Sequence, residues 1–261
     1  MQTTIRETPI LMYHSISDSA GSAFRDFTVP PALFQEQMDY LYTNDFATLT
    51  VTEFATAIIE HHPLPERRVV LTFDDGFVDF YTNVLPVLEQ FGCRATLYIP
   101  TAYVGMTSRW MDLIGEGNRP ILDWDTLRQL PSSIECGAHS HTHPQLDILG
   151  LAAVREEIFL SKQLLEAHLQ HPILSFCYPH GFSSRSVRRL VKEAGFMAAC
   201  AGLMPTDDIF ALPRLFVTPD MVVERFAQLL TKRPSLAERR IRPVASAAFR
   251  LARRLQARFD T

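Results

Sequence analysis

Apolar residues fall into two kinds of run along this chain. The first kind is short and nearly continuous, at 9–13, 68–73, 95–99, 133–137, 174–178 and 198–201. Continuous rather than alternating apolar character predicts strands buried on both faces, as in a parallel sheet. The second kind has helical spacing. Residues 31–43 set Leu33, Met38, Leu41 and Tyr42 on one side, residues 52–60 and 79–91 also read as helical, and 150–169 is the longest such stretch. A further helix is predicted over 183–193, with serines to cap its start and Ala194-Gly195 to end it. Strand and helix therefore alternate, the arrangement of an α/β barrel. Residues 101–121, with Gly105, Gly115, Gly117 and Pro120, are less regular and follow a predicted strand, where barrel loops build sites.

Composition bounds the architecture. A chain of 261 residues that is 47% hydrophobic can form one large α/β barrel or two small domains, and no Pro/Gly/Ser-rich linker divides it. One catalytic domain over 1–233 is the expectation. A net charge of −4 argues against a nucleic-acid partner. Cys93, Cys136, Cys177 and Cys200 lie in or beside apolar runs without Cys-x-x-Cys pairing, which reads as buried reduced thiols.

Two clusters carry candidate chemistry. Asp74-Asp75-Gly76 ends the run 68–73, and His139-Ser140-His141-Thr142-His143 follows the run 133–137. Side chains alternate across a strand, so one carboxylate can face a metal while its neighbour serves another role. His139 and His143 are spaced i, i+4; on a helix both imidazoles share a face and can hold one ion, with Asp75 completing a three-ligand site. An Asp-Asp-Gly run is also an ordinary turn, and a lone histidine is more often structural than a ligand. The joint occurrence of both clusters at strand ends favours the metal reading.

These residues carry a resemblance. Thr72-Phe73-Asp74-Asp75-Gly76, His139-Ser140-x-x-His143 and Phe176-Cys177-Tyr178-Pro179-His180-Gly181 resemble the first three motifs of the polysaccharide deacetylases, the NodB-like carbohydrate esterases. The likeness runs from Pro9-Ile10-Leu11-Met12-Tyr13-His14 to Leu212-Pro213-Arg214, and the first two motifs are the specific ones. It implies a distorted (β/α) barrel of about seven strands and metal-dependent removal of acetyl groups from amino sugars. Carried over position by position, it makes Asp74 the general base and Asp75, His139 and His143 the metal ligands. Zinc suits two imidazoles and a carboxylate best, while cobalt, nickel and iron accept the same set. The third motif implies an oxyanion donor in the amide of His180, although Tyr178-Pro179-His180-Gly181 also reads as a plain turn.

The chain departs from the family pattern twice. Cys177 stands where many members carry the arginine that orients their base, so either another group orients Asp74 or the chain belongs to a branch reading Phe-x-Tyr-Pro-x-Gly; the second is expected. Relatives often take their general acid from a late Leu-x-His motif, but no histidine follows His180, and Leu212-Pro213-Arg214 occupies that region. His14, at the end of the first predicted strand, is the first candidate acid, His180 the second and His141 a distant third. For His14 a purely structural role at a strand end is an equal alternative. His61, His62, His168 and His171 read as polar surface and loop residues. Trp110 either stacks on a sugar ring or packs its loop onto the barrel. Trp124, after the capping Asp123, resembles a helix-starting tryptophan of the family with a structural job.

From Lys232 to Thr261 there are nine Lys or Arg against Glu238 and Asp260. Val244, Ala248, Leu251, Leu255 and Phe259 recur there at helical spacing, so residues 234–261 read as a basic amphipathic helix that either lies on an anionic membrane surface or packs on the barrel. Residues 1–9 lack an apolar core and no run of about 20 apolar residues occurs. A cytoplasmic location, peripheral to the inner membrane face through 234–261, is the expectation, with a lipid-linked or nucleotide-linked acetylated amino sugar or an oligosaccharide under assembly as substrate. A hydrolase of another amide, of the cyclic ureide type, and a catalytically silent carbohydrate-binding relative are the two competing readings.

Overall fold

The computed structural model describes residues 5–202 and 206–231. The predicted basic helix over 234–261, and with it the domain boundary at 233, lie outside the described residues.

Each of the six predicted strands forms: β1 (Ile10–Tyr13), β5 (Arg68–Phe73), β6 (Ala95–Ile99), β7 (Ile134–Ala138), β8 (Ser175–Cys177) and β9 (Ala198–Cys200). Four shorter ones carried no long apolar run: β2 (Ser15–Ile16), β3 (Thr28–Val29), β4 (Ala47–Leu49) and β10 (Leu215–Phe216). Seven strands pair in the order β10-β1-β5-β6-β7-β8-β9, with β4 alongside β5, while β2 and β3 form a separate pair. Every one of these ladders is parallel. The curled sheet stays open between β9 and β10, where one parallel bridge joins Cys200 to Leu212.

Helices α1 (Pro31–Thr43), α2 (Val51–Ile59), α3 (Leu85–Gln90), α4 (Trp124–Arg128), α5 (Leu151–Leu169), α6 (Arg185–Glu193) and α7 (Val223–Thr231) complete the fold. Local chemistry sets their ends. Thr50 and Glu53 form a reciprocal capping box on α2, and the hydroxyl of Ser184 accepts from the Val187 amide at the start of α6. The predicted helix over 79–91 is a π-turn, Phe80–Val84, running into α3. His168 lies in α5, within the stretch predicted to be helical, its ring stacked 4.0 Å from that of Trp124.

All strands of the main sheet run the same way, so their carboxyl ends gather at one mouth, the end at which barrels carry chemistry. Beneath that mouth buried apolar side chains form the core. Gly137 in β7 shows how tight the packing is: an added Cβ would stand 2.5 Å from Tyr98 Cε1 and 2.8 Å from Ser175 Oγ. Gly137→Ala is therefore expected to cost about 1–3 kcal/mol through overpacking. Urea unfolding checks this, and an unchanged midpoint would refute it.

Candidate metal centre

β1, β5 and β7 deliver His14, Asp74-Asp75 and His139 to the same mouth, and the turn after β8 delivers His180. These residues, with His143 and Arg214, line a cavity of about 720 Å³. The structure thus brings together the sequence-predicted candidates Asp74, Asp75, His139, His143, His14 and His180. His141 turns away, its Nδ1 2.9 Å from Thr101 Oγ1.

The two carboxylates reach the cavity in a different manner from the expected strand alternation. β5 ends at Phe73, and the Asp74 amide makes the last ladder bond, to Tyr13 O at 3.0 Å. Asp75 has left the strand, with φ at 76°, and Gly76 follows at 66°. This left-handed pair of residues turns the chain so that both side chains enter one cavity with different partners.

The i, i+4 pair does not sit on a helix. Residues 139–143 form a loop in which Ser140 and His143 take φ values of 61° and 60°. Such values are uncommon for side-chain-bearing residues and persist only where surroundings impose them. Here Glu157 of α5 imposes them, its Oε2 accepting from the amides of His141 and Thr142 at 2.8 Å each, while the His143 amide donates to Ser140 Oγ at 3.1 Å. The i, i+4 spacing brings the imidazoles together through a clamped loop, with ring centroids 4.8 Å apart.

Three ligand atoms converge. Asp75 Oδ1 lies 3.5 Å from His139 Nε2 and 3.2 Å from His143 Nε2, and one ligand atom from each residue lies within 4.8 Å of the others. His139 Nδ1 stands 2.8 Å from the carbonyl of Cys177. A carbonyl only accepts, so that nitrogen carries a proton, and Nε2 is the atom presented to the carboxylate. Asp75 Oδ1 is buried with no hydrogen-bond partner. A buried carboxylate oxygen and two imidazole nitrogens converging on one point suit a cation, and the donor set fits a divalent ion. A second grouping, Asp74 with His139 and Cys177, suits one less well. Burial pushes the Cys177 thiol well up, so it stays neutral.

Asp74 is held by a residue that sequence reasoning noted only as occupying a motif region. Arg214, buried just before β10, donates from both terminal nitrogens to Asp74, at 2.6 and 2.7 Å, and from one of them to Thr72 Oγ1 at 3.1 Å. The expected choice between a re-oriented base and a branch motif therefore has a physical answer: Arg214 orients Asp74, and Cys177 packs its sulfur 3.8 Å from both Asp74 oxygens. The usable signal was that a late Leu-Pro-Arg supplies an arginine where the third motif lacks one.

Charges follow from these contacts. Burial by itself would raise the Asp74 carboxyl, but the Arg214 guanidinium outweighs it and holds the group below its ordinary value. Burial opposes ionisation of Asp75 as well, and the two imidazoles overcome it to hold that carboxyl well below the usual range. Burial lowers the pKa of His14, more than the neighbouring carboxylates raise it. The Nε2 of His14 is 3.8 Å from Asp74 Oδ2, and its Nδ1 is buried without a hydrogen-bond partner. His180 is exposed at the rim with φ at 61°, its ring 5.1 Å from that of His143. Trp110 packs its ring 4.9 Å from His143, so it both anchors its loop and walls the cavity.

The Arg214–Asp74 pair makes a stability prediction. Arg214→Met leaves a buried carboxylate uncompensated and is expected to cost about 3–5 kcal/mol. Asp74→Asn combined with Arg214→Met is expected to recover part of that loss, as contacting partners are not additive. Chemical denaturation of the single and double variants checks both; a loss for Arg214→Met below about 1 kcal/mol would place the pair among interactions of surface strength.

Comparison with known proteins agrees with this arrangement. The polysaccharide deacetylase family model matches residues 61–199. The YxkH protein of Bacillus subtilis (strain 168), which carries a polysaccharide deacetylase designation, is 30% identical over 226 residues, covering 82% of this chain and 72% of that protein. The poly-beta-1,6-N-acetyl-D-glucosamine N-deacetylase of Escherichia coli (strain K12) is 24% identical over 253 residues, covering 84% of this chain but only 38% of that protein. In fold, the Streptococcus pyogenes deacetylase PplD, solved in complex with acetate, superposes with a TM-score of 0.72 at 21% identity, covering 85% of this chain and 97% of that one. The family match, the extent of the B. subtilis likeness and the NodB-like sheet together establish that this chain belongs to the polysaccharide deacetylase family of enzymes.

Proposed function

We propose that this chain is a metal-dependent hydrolase that removes acetyl groups from N-acetylated amino sugars within a saccharide. The observation that carries the reading is the convergence of Asp75, His139 and His143 beside a carboxylate, Asp74, that Arg214 keeps ionised and fixed. The substrate class draws support from the E. coli relative, named for deacetylation of poly-N-acetylglucosamine.

Asp75, His139 and His143 would hold the ion, with zinc suited to the donor set and cobalt, nickel or iron compatible with it. A divalent ion bound there supplies a Lewis acid, which acidifies a water and polarises an acyl oxygen. Asp74 takes the proton from the attacking water. Arg214 serves that step in two ways, by fixing the direction of the carboxylate and by keeping it unprotonated until it is used. The amide of His180, in its rim turn, is the donor assigned to the developing oxyanion. His14 is the residue assigned to protonate the leaving nitrogen: it shares the cavity, and its lowered pKa makes its protonated form a stronger acid. Glu157 holds the loop that carries His143 in its left-handed turns.

The deciding experiment measures acetate release from a panel of acetylated sugars together with the metal content of the same preparation. Chelation is expected to abolish release and zinc to restore it; undiminished release from metal-free protein would remove the metal role. Asp74→Asn is expected to lower kcat by about 10²–10⁴-fold, the range of general acid–base catalysis, with metal content retained. Glu157→Ala is expected to weaken metal retention by about 10–100-fold, as loss of an outer partner does. Chelator competition reads that out without reference to turnover, and unaltered retention would return Glu157 to a purely structural role.

A further inference from the structure

The cavity has a floor and walls of opposite character. Its floor is the cluster of carboxylates, imidazoles and Arg214 already described. Its walls are hydrocarbon and aromatic: Phe24 and Phe27 from one loop, and Trp110, Met111, Leu113 and Ile114 from another. Apart from the floor groups, His180 and the indole N–H of Trp110, the side chains in the lining are apolar among the described residues. A sugar ring presents hydroxyls around its edge, and each one desolvated without a partner is costly. Aromatic faces can stack on a sugar; the aliphatic side chains of Met111, Leu113 and Ile114 cannot.

These walls are also tied to one another. The Arg119 Nε donates to Glu116 Oε2 at 2.7 Å, and Glu116 Oε1 accepts from the Gly21 amide at 2.6 Å. Arg119 further donates to Ser15 Oγ at 3.1 Å and lies over the Phe24 ring at 4.8 Å. This clasp ties the segment bearing Phe24 and Phe27 to the segment bearing Met111 through Ile114, and Phe24 and Met111 pack in one apolar cluster with Phe77 and Ile121, so the walls are fixed relative to each other. The apolar surface then continues outward to the rim, where Leu113 is 84% and Ile114 48% exposed. Apolar side chains that line the pocket and are also exposed at its rim mark a path for something that leaves it.

We propose that the substrate is an N-acetylated amino sugar bearing a hydrocarbon chain on its aglycone, and that this chain runs over Met111, Leu113 and Ile114. The inference rests on the deacetylase reading of the same floor. An acyl chain on the nitrogen is the weaker occupant, because the reacting carbonyl must sit on the floor and only the remainder of the substrate extends toward the rim.

The test compares methyl and octyl glycosides of N-acetylglucosamine, the octyl compound below its micelle concentration, on the metal-loaded full chain. Burial of one methylene is worth about fourfold in binding, so the octyl compound is expected to show kcat/KM at least about tenfold higher. In the Leu113→Ser/Ile114→Ser double variant the ratio between the two substrates is expected to fall toward one. A ratio near one in the unaltered protein, or a preference that survives the double variant, overturns the proposal. Preference for a methyl glycoside with a longer N-acyl chain overturns it too, by moving the chain to the nitrogen. Calorimetry with the corresponding octyl and methyl 2-amino glycosides separates this inference from its parent. If neither acetylated compound releases acetate, the deacetylase reading fails, and equal binding of the two amines refutes the apolar path independently.

Discussion

The buried pair of Arg214 and Asp74 is the constraint on which the rest of the mouth depends. A carboxylate placed in this cavity faces a second carboxylate one residue away and is almost entirely shielded from water. Without a fixed cation beside it, burial would drive Asp74 toward its neutral form, and it would be unfit to accept a proton. Arg214 meets this with two terminal nitrogens on two oxygens, a planar match that fixes direction as well as charge. Its third partner, Thr72 Oγ1, itself donates to Leu11 O at 2.6 Å, so the guanidinium is registered against the β1–β5 ladder.

With Asp74 committed to Arg214, Asp75 is left to the imidazoles. That division depends on backbone geometry rather than on strand alternation. Asp75, Ser140 and His143 all take positive φ, as does His180 at the rim. Strained turns at the ends of parallel strands recur where side chains must be aimed at one point, and their cost is carried by the packed barrel beneath them. Glu157 and the carbonyl of Cys177 are examples of that support: one fixes the loop, the other fixes which nitrogen of His139 is available.

Much of this was legible in the sequence, for physical reasons. Strands buried on both faces must be continuously apolar, so six of the ten strands announced themselves, and parallel order then sent His14, Asp74-Asp75 and His139 to one end. The strands that escaped notice have only two or three residues. Too short for a period, they are made by pairing rather than by pattern. The His139 to His143 spacing pointed to the right pair through the wrong element, because i, i+4 proximity is reached by a clamped loop as well as by a helix. Arg214 was the main omission as an orienting group: nothing near it in sequence is acidic in the way its partner requires, and Asp74 lies 140 positions away.

The position of Arg214 has a consequence for how the barrel and the chemistry are linked. It precedes β10, the strand at the open edge of the sheet, and its Nε faces the carbonyl of Ala201 at 3.4 Å, across the seam from β9. The same seam is bridged by the Ala201 amide to Leu212 O at 2.9 Å and by the Leu212 amide to Ala199 O at 2.8 Å. An arginine carried on the third motif would orient the base from within the sheet, whatever the state of the edge. Here Cys177 takes that interior place as a small neutral filler, and the cation comes from the residue just before the edge strand. The residue that reaches across this seam is thus the same one that keeps Asp74 ionised, so the contacts at the edge of the sheet and the charge of the base share one side chain.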